Sequence, residues 1–163
     1  MASLPQSDLD KLISQLHRHE GTRRNRSSDH VAYLDTAKPP VLTIGYGHNC
    51  KVSPVPGVSK PGDTISHEKA LELFESDLAK HIWQVREALP WIDTLDPVRQ
   101  CVLYNMGFNL GISGLISFRN TLQFIQNGNF SQAANNMLAS TWRKQVKSRA
   151  VELARQMETG EWQ

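Results

Sequence analysis

The chain has 163 residues, 39% of them hydrophobic and 21% charged, with a formal net charge of +2. That length fits one domain with room for a substantial core, in ordinary globular proportions. The small net charge gives no ground for expecting nucleic-acid binding, and no run approaches the ~20 apolar residues that span a bilayer.

The opening MASLPQSDLDKLISQ has neither a basic start nor an apolar stretch. It is not read as a signal peptide, and the chain is expected to reside in the cytoplasm of the cell that makes it. Residues 7–19 read as a helix, with Ser7 as its N-cap. Asp8 and Asp10 suit the positive end of its dipole. Leu9, Leu12, Ile13 and Leu16 form one apolar stripe, and four more residues along that stripe reach Glu20. A carboxyl that extends a buried face just before the helix-stopping Gly21 is an odd choice for stability alone.

A polar, basic loop follows, TRRNRSSDH. HVAYLD (30–35) and VLTIGYGH (41–48) then read as two strands of a small hairpin about a TAKPP turn, with one or two further short strands expected. The proline-rich 51–63 is a loop. A long helix runs from about Ser66 to Leu89, its buried face marked by Leu71, Phe74, Leu78, Ile82, Val85 and Leu89. Asp96-Pro97 caps the next helix, expected to end near Met106. Shorter helices are expected over 115–126, 131–140 and 146–158. The predicted fold is α+β, a single domain over 1–163. A small hairpin lobe (about 21–63) and a larger helical lobe (about 66–163 plus helix 7–19) are expected to be joined by the long helix, with a cleft between them.

Glu20 ends the first helix, Asp35 ends the first strand and Thr43 lies on the returning strand, where its hydroxyl is expected to face Asp35. A carboxylic acid in apolar surroundings, an ionised carboxylate and a hydroxyl are the groups that protonate a glycosidic oxygen and direct a water. Alone, such a trio is a weak signal. The strings HEGTR (19–23), AYLD (32–35) and LTIGYGHN (42–49), however, resemble the N-terminal signature of phage-type lysozymes (endolysins) of glycoside hydrolase family 24. SHEKALELFESDL (66–78), TLDPVRQCVLYNMGFNLG (94–111), FRNTL (118–122), QAANNM (132–137) and SRAVE (148–152) are similar to later segments of the same family, in the same order.

The resemblance implies a lysozyme-like fold and an inverting muramidase. Such an enzyme cleaves the β-1,4 bond between N-acetylmuramic acid and N-acetylglucosamine in bacterial peptidoglycan, lysing the host cell. It implies Glu20 as the general acid, Asp35 as the carboxylate that holds the attacking water, and Thr43 as a residue that helps fix that water. It implies Asn49, Phe108, Thr121 and Asn136 as substrate-binding residues, with Phe108 equally readable as core. It also implies a buried structural pair between His48 and Asp77, structural roles for Arg149, Trp142 and Trp162, and retention in the host cytoplasm until a membrane-pore protein gives access to the wall. Asn105 is expected to satisfy backbone groups at a helix end.

The family spacing is E-x8-D/C-x5-T, whereas here fourteen residues separate Glu20 from Asp35 and seven separate Asp35 from Thr43. Asp29 follows Glu20 with eight residues between them. Asp35 is preferred to Asp29 because Tyr33-Leu34-Asp35 matches the motif and ends a strand; the additional residues then lengthen the loop and the hairpin turn.

Cys50 and Cys101 are expected to be reduced thiols. His48 lies near Cys50, but no second pair completes a metal site, and no metal or cofactor is expected. Arg143, Lys144, Lys147, Arg149 and Arg155 face one nearby acid, Glu152. Such a cluster reads equally as a solvated helix face or as a contact for an anionic envelope. The partner expected is the glycan strand of peptidoglycan, met by a monomer. The alternatives are a lytic transglycosylase needing only Glu20, a non-catalytic wall-binding module, and a membrane-disrupting protein.

Overall fold

The computed structural model describes residues 3–163. These divide into two compact units, one formed by residues 16–80 and the other by residues 3–15 with 81–163. The element types are those of an α+β protein, as predicted.

Helix α1 (Gln6–Glu20) starts one residue earlier than the sequence pattern indicates. The Pro5 carbonyl accepts from the amides of Asp8 and Leu9, both at 3.0 Å. Ser7 therefore lies inside the first turn and does not cap it. Leu12 and Leu16, on the predicted stripe, are fully buried.

In the unit of residues 16–80, the five strands are short. The strand β1 (His30–Val31) pairs antiparallel with β5 (Thr64–Ile65), outside the predicted hairpin. The hairpin itself joins β2 (Tyr33–Leu34) to β3 (Leu42–Ile44), with Tyr33 opposite Thr43 and Leu34 opposite Leu42. The third strand of that sheet is β4 (His48–Asn49), which places Thr43 opposite Asn49 and Ile44 opposite His48. The single run 30–35 is thus two strands serving two sheets, broken at Ala32. The sheets sit over a core that includes Leu16, Ile44, Tyr46, Ala70, Phe74 and Leu78. The last three lie on α2 (His67–Ala88), close to the predicted limits.

The segment after Glu20 is a loop, as predicted, and it is tied down by its own hydrogen bonds. Arg24 bridges to His30, and the Asn25 carboxamide closes the tip by accepting from the amides of Ser27 at 2.9 Å and Asp29 at 3.0 Å.

In the other unit, a 3₁₀ turn (Pro90–Thr94) precedes α3 (Pro97–Ile116). The Asp96 carboxylate caps α3 by accepting from the Arg99 amide at 3.0 Å. The helix does not stop near Met106: the turn after it remains helical, and Leu115 beyond it is again fully buried. It breaks at Gly111, whose φ of 71° is open to glycine without strain. Helices α4 (Arg119–Gln126) and α5 (Phe130–Ala139) follow. An additional short helix, α6 (Thr141–Val146), precedes the last predicted one, α7 (Ser148–Thr159), across Lys147 with φ 49°. Ala133 and Met137 of α5 and Leu153 and Met157 of α7 are fully buried, as is Ile125 of α4. Among the described residues no single helix is long and apolar enough to cross a membrane.

Candidate active site

Glu20 is the last residue of α1 and is half-buried. The turn between β3 and β4 holds its place: a Cβ added to Gly47 would lie 3.1 Å from Glu20 Oε2. The backbone of Gly47, at φ 82°, therefore passes directly against the carboxyl. Only glycine combines that φ with that approach.

Asp35 follows β2 at the mouth of the hairpin turn. Its Oδ1 accepts from the amides of Val41 at 2.8 Å and Ala37 at 3.0 Å, and its own amide donates to the Val41 carbonyl at 3.0 Å. The sequence uses an aspartate here partly because its short carboxylate can close the turn on itself. Oδ2 takes no hydrogen bond among the described residues, so one oxygen fixes the side chain while the other stays open to a water or substrate.

Thr43 is buried, and its hydroxyl donates to the Val41 carbonyl at 3.1 Å. The register puts it opposite Tyr33, diagonally across from Asp35 on the same face of the sheet. It does not hydrogen-bond Asp35 here. Asn49 is exposed, and its carboxamide accepts from the amides of Lys51 and Val52 at 2.9 and 3.0 Å, so it also shapes the turn that follows β4.

Tyr33 relates the two carboxyls. Its phenol is pushed up, first by burial, with the charges of Glu20 and Asp35 acting in the same direction and that of Arg23 against them. Both carboxyls thus lie within electrostatic reach of one hydroxyl. Asp29 bears instead on His30, from the tip of the Arg24–His30 turn. The guanidinium of Arg23 sits 4.0 Å from the centre of the Tyr33 ring. Arg23 closes the HEGTR string and Gly47 lies within LTIGYGHN, but the sequence alone assigns neither a role; the two-residue spacing of Tyr33 and Asp35 is a further hint.

Under these residues lies a histidine cluster the sequence pattern does not indicate. His17 stacks on Tyr46 at 4.2 Å and meets the edge of Phe74 at 4.3 Å. His30 Nε2 and His67 Nδ1 are 3.0 Å apart, and Arg24 reaches both His67 Nδ1 at 3.1 Å and the Tyr46 hydroxyl at 3.4 Å. His17 Nε2 and His30 Nδ1 are buried without a partner. Burial, with a smaller repulsion from His67, lowers the pKa of His17. Burial first, then Arg24 and His67, lowers that of His30 to about 4. His48 behaves oppositely: its bond to Asp77 at 2.7 Å raises its pKa, while its Nε2 meets the Ser53 carbonyl at 2.8 Å. This is a structural pair.

The unit built on α3–α7 carries the other three candidates. Thr121 (buried, on α4) and Asn136 (half-buried, on α5) line one open groove with Phe118, Asn120 and Ser140. Phe108 is not in that groove and meets His81 edge-on at 5.3 Å. Trp142 is buried and donates to Asn109 at 2.7 Å, and Trp162 donates to Asp8 at 2.8 Å.

Two readings need correction. Asn105 does not serve a helix end. Fully buried in the middle of α3, it donates to Gln15 at 3.0 Å and accepts from Arg149 at 2.8 and 3.0 Å. Arg149 is buried in that network and leaves the basic cluster, whose exposed members are Arg143, Lys144, Lys147 and Arg155. Both cysteines are buried, free thiols. Among the described residues no group of three or more His, Cys, Asp and Glu is placed to hold a metal ion.

A helix-end glutamate set against a short sheet that carries a second carboxylate belongs to the class of glycoside hydrolases with a lysozyme-like α+β fold. The phage lysozyme family matches residues 17–158 of this chain, and the chain belongs to that family. Probable T4-type lysozyme 1 of Dictyostelium discoideum is 30% identical over 118 residues, which are 70% of this chain and 66% of that protein. Probable T4-type lysozyme 2 of the same organism is 31% identical over 123 residues, covering 74% of this chain and 69% of that protein. The pre-baseplate central spike protein Gp5 of Enterobacteria phage T4 is 29% identical over 171 residues, 92% of this chain but 28% of the spike protein. The chain thus spans about two thirds of each Dictyostelium relative and little more than a quarter of the spike protein.

Proposed function

We propose that the protein is a muramidase that hydrolyses the β-1,4 bond between N-acetylmuramic acid and N-acetylglucosamine in peptidoglycan, with inversion. The observation that carries this reading is a pair of carboxyls, one at the end of α1 against the Gly47 backbone and one anchored by Oδ1 in a hairpin turn with Oδ2 open. Glu20 protonates the leaving oxygen. Asp35 Oδ2 holds and activates a water on the opposite face of the sugar, and Thr43 helps to fix it. Asp35 is favoured over Asp29 because it follows β2, paired with the strand that carries Thr43, whereas Asp29 sits in the Arg24–His30 turn.

Asn49, Phe108, Thr121 and Asn136 are proposed glycan contacts. Thr121 and Asn136 share a polar groove suited to hydroxyl and N-acetyl groups. The biological setting we propose is host lysis. The enzyme waits as a monomer in the host cytoplasm until it reaches the wall, and Arg143, Lys144, Lys147 and Arg155 add a weak attraction to anionic envelope polymer.

Mass spectrometry of products from purified peptidoglycan, with NMR of the newly formed anomer, tests the reaction. Reducing muramic ends of the inverted anomer are expected, and Glu20→Gln should lower their release by about 10²–10⁴-fold. Anhydro-muramic ends would make the protein a transglycosylase. Release unaffected in Glu20→Gln would remove the enzymatic assignment to this site.

A further inference from the structure

We infer that Tyr33 is a glycan-contacting residue at the cleaved bond and that Arg23 is the positioning residue that holds it there; this rests on the hydrolase reading above. Four observations converge on Tyr33. It stands opposite Thr43 in the hairpin register. It shares a strand face with Asp35 two residues on. Its hydroxyl makes no hydrogen bond among the described residues, although the ring is half-buried. And the Arg23 guanidinium lies on its ring at 4.0 Å.

The Tyr33 hydroxyl bonds to neither carboxyl, so its donor remains available to a third group, and a sugar oxygen or N-acetyl carbonyl has the right chemistry. Burial and both carboxyl charges favour the neutral, hydrogen-bonding phenol.

Arg23 is itself held. Its carbonyl accepts from the Val31 amide at 2.8 Å, and next in the chain Arg24 bridges to His30 and reaches Tyr46 and His67. One side chain of the Arg-Arg pair is therefore tied to the histidine cluster and the other to the Tyr33 ring. A planar guanidinium stacks on an aromatic face in a way that a lysine ammonium does not reproduce. The loop after Glu20, longer than the family spacing, thus carries the clamp on a residue beside the reacting bond.

The test compares Tyr33→Phe, Arg23→Met and Arg23→Lys in kcat and KM on soluble peptidoglycan strands, together with melting temperature. The affinity of Glu20→Gln for the same strands is measured with and without Tyr33→Phe. Loss of one neutral hydrogen bond is expected to lower kcat/KM and binding by about tenfold in Tyr33→Phe with melting unchanged. Arg23→Met should match it, Arg23→Lys should recover only part, and Tyr33→Phe/Arg23→Met should be no worse than the weaker single variant. Wild-type kcat/KM and binding in Tyr33→Phe would overturn the inference, as would a loss that follows melting temperature alone. An inactive wild type, or Glu20→Gln as active as wild type, marks failure of the hydrolase reading itself.

Discussion

The two units treat their buried polar groups differently. In the unit of α3–α7, Gln15, Asn105, Arg149 and Gln156 form one closed network. Gln15 donates to Glu152 and Gln156 at 2.9 Å, Asn105 donates to Gln15, Arg149 donates to Asn105, and Gln156 donates to the Val98 carbonyl at 3.3 Å. In the unit of residues 16–80, polar capacity is left over: His17 Nε2 and His30 Nδ1 are buried with no hydrogen-bond partner among the described residues, and the half-buried Asp35 bonds through Oδ1 alone. A satisfied buried network specifies a fold, whereas an unsatisfied polar group costs stability and is retained where it acts on something else.

The contrast can be broken from either side. In the buried network, Asn105→Ala removes the Oδ1 that accepts from Arg149 at 2.8 and 3.0 Å, and urea unfolding should register a loss on the order of 3 kcal/mol. Turnover per folded molecule should stay within a few-fold of wild type. In the open region, Gly47→Ala should do the reverse. The positive φ costs about 1–3 kcal/mol, and the added Cβ, 3.1 Å from Glu20 Oε2, should depress kcat further than the stability loss accounts for.

pH sharpens the same comparison. His17 and His30 have lowered folded values, so the stability they permit is complete above the ordinary histidine value of 6.5. It is lost as pH falls from there towards about 4, where His30 itself takes a proton. His48 has a raised folded value, so its pairing with Asp77 stabilises most below 6.5 and fades as pH rises through the raised value. His30→Gln should flatten the acid side of a melting-temperature profile, and Asp77→Asn the alkaline side. The smallest effect is expected at the surface. Arg143→Ser with Lys144→Ser should change stability by no more than about 0.5 kcal/mol and weaken adsorption to walls only at low salt.

Much of this was legible in the sequence. The stripe through Leu12 and Leu16, the Asp96-Pro97 start of α3 and the long helix all follow from periodicity and capping, which are local. The split of 30–35 between two sheets was not legible, because Thr64–Ile65 reaches β1 from a distant segment. Nor was the continuation of α3 past Met106 to its break at Gly111, beyond which Leu115 is again buried. At the site, Glu20, Asp35 and Thr43 could be named from motif and position. The Arg23–Tyr33 stack and the Gly47 approach depend on how a loop folds back, which no spacing rule records. Asn105 was misread for the same reason, its partners lying 90 and 44 residues away.

The central claim is that Glu20 and Asp35 together carry hydrolysis, and the most direct measurement is release of reducing-end muropeptides by folded Asp35→Asn and Asp29→Asn beside wild type. Asp35→Asn should lose release nearly as completely as Glu20→Gln, while Asp29→Asn keeps it. An active Asp35→Asn with an inactive Asp29→Asn would contradict the account and move the second carboxylate to the Arg24–His30 turn.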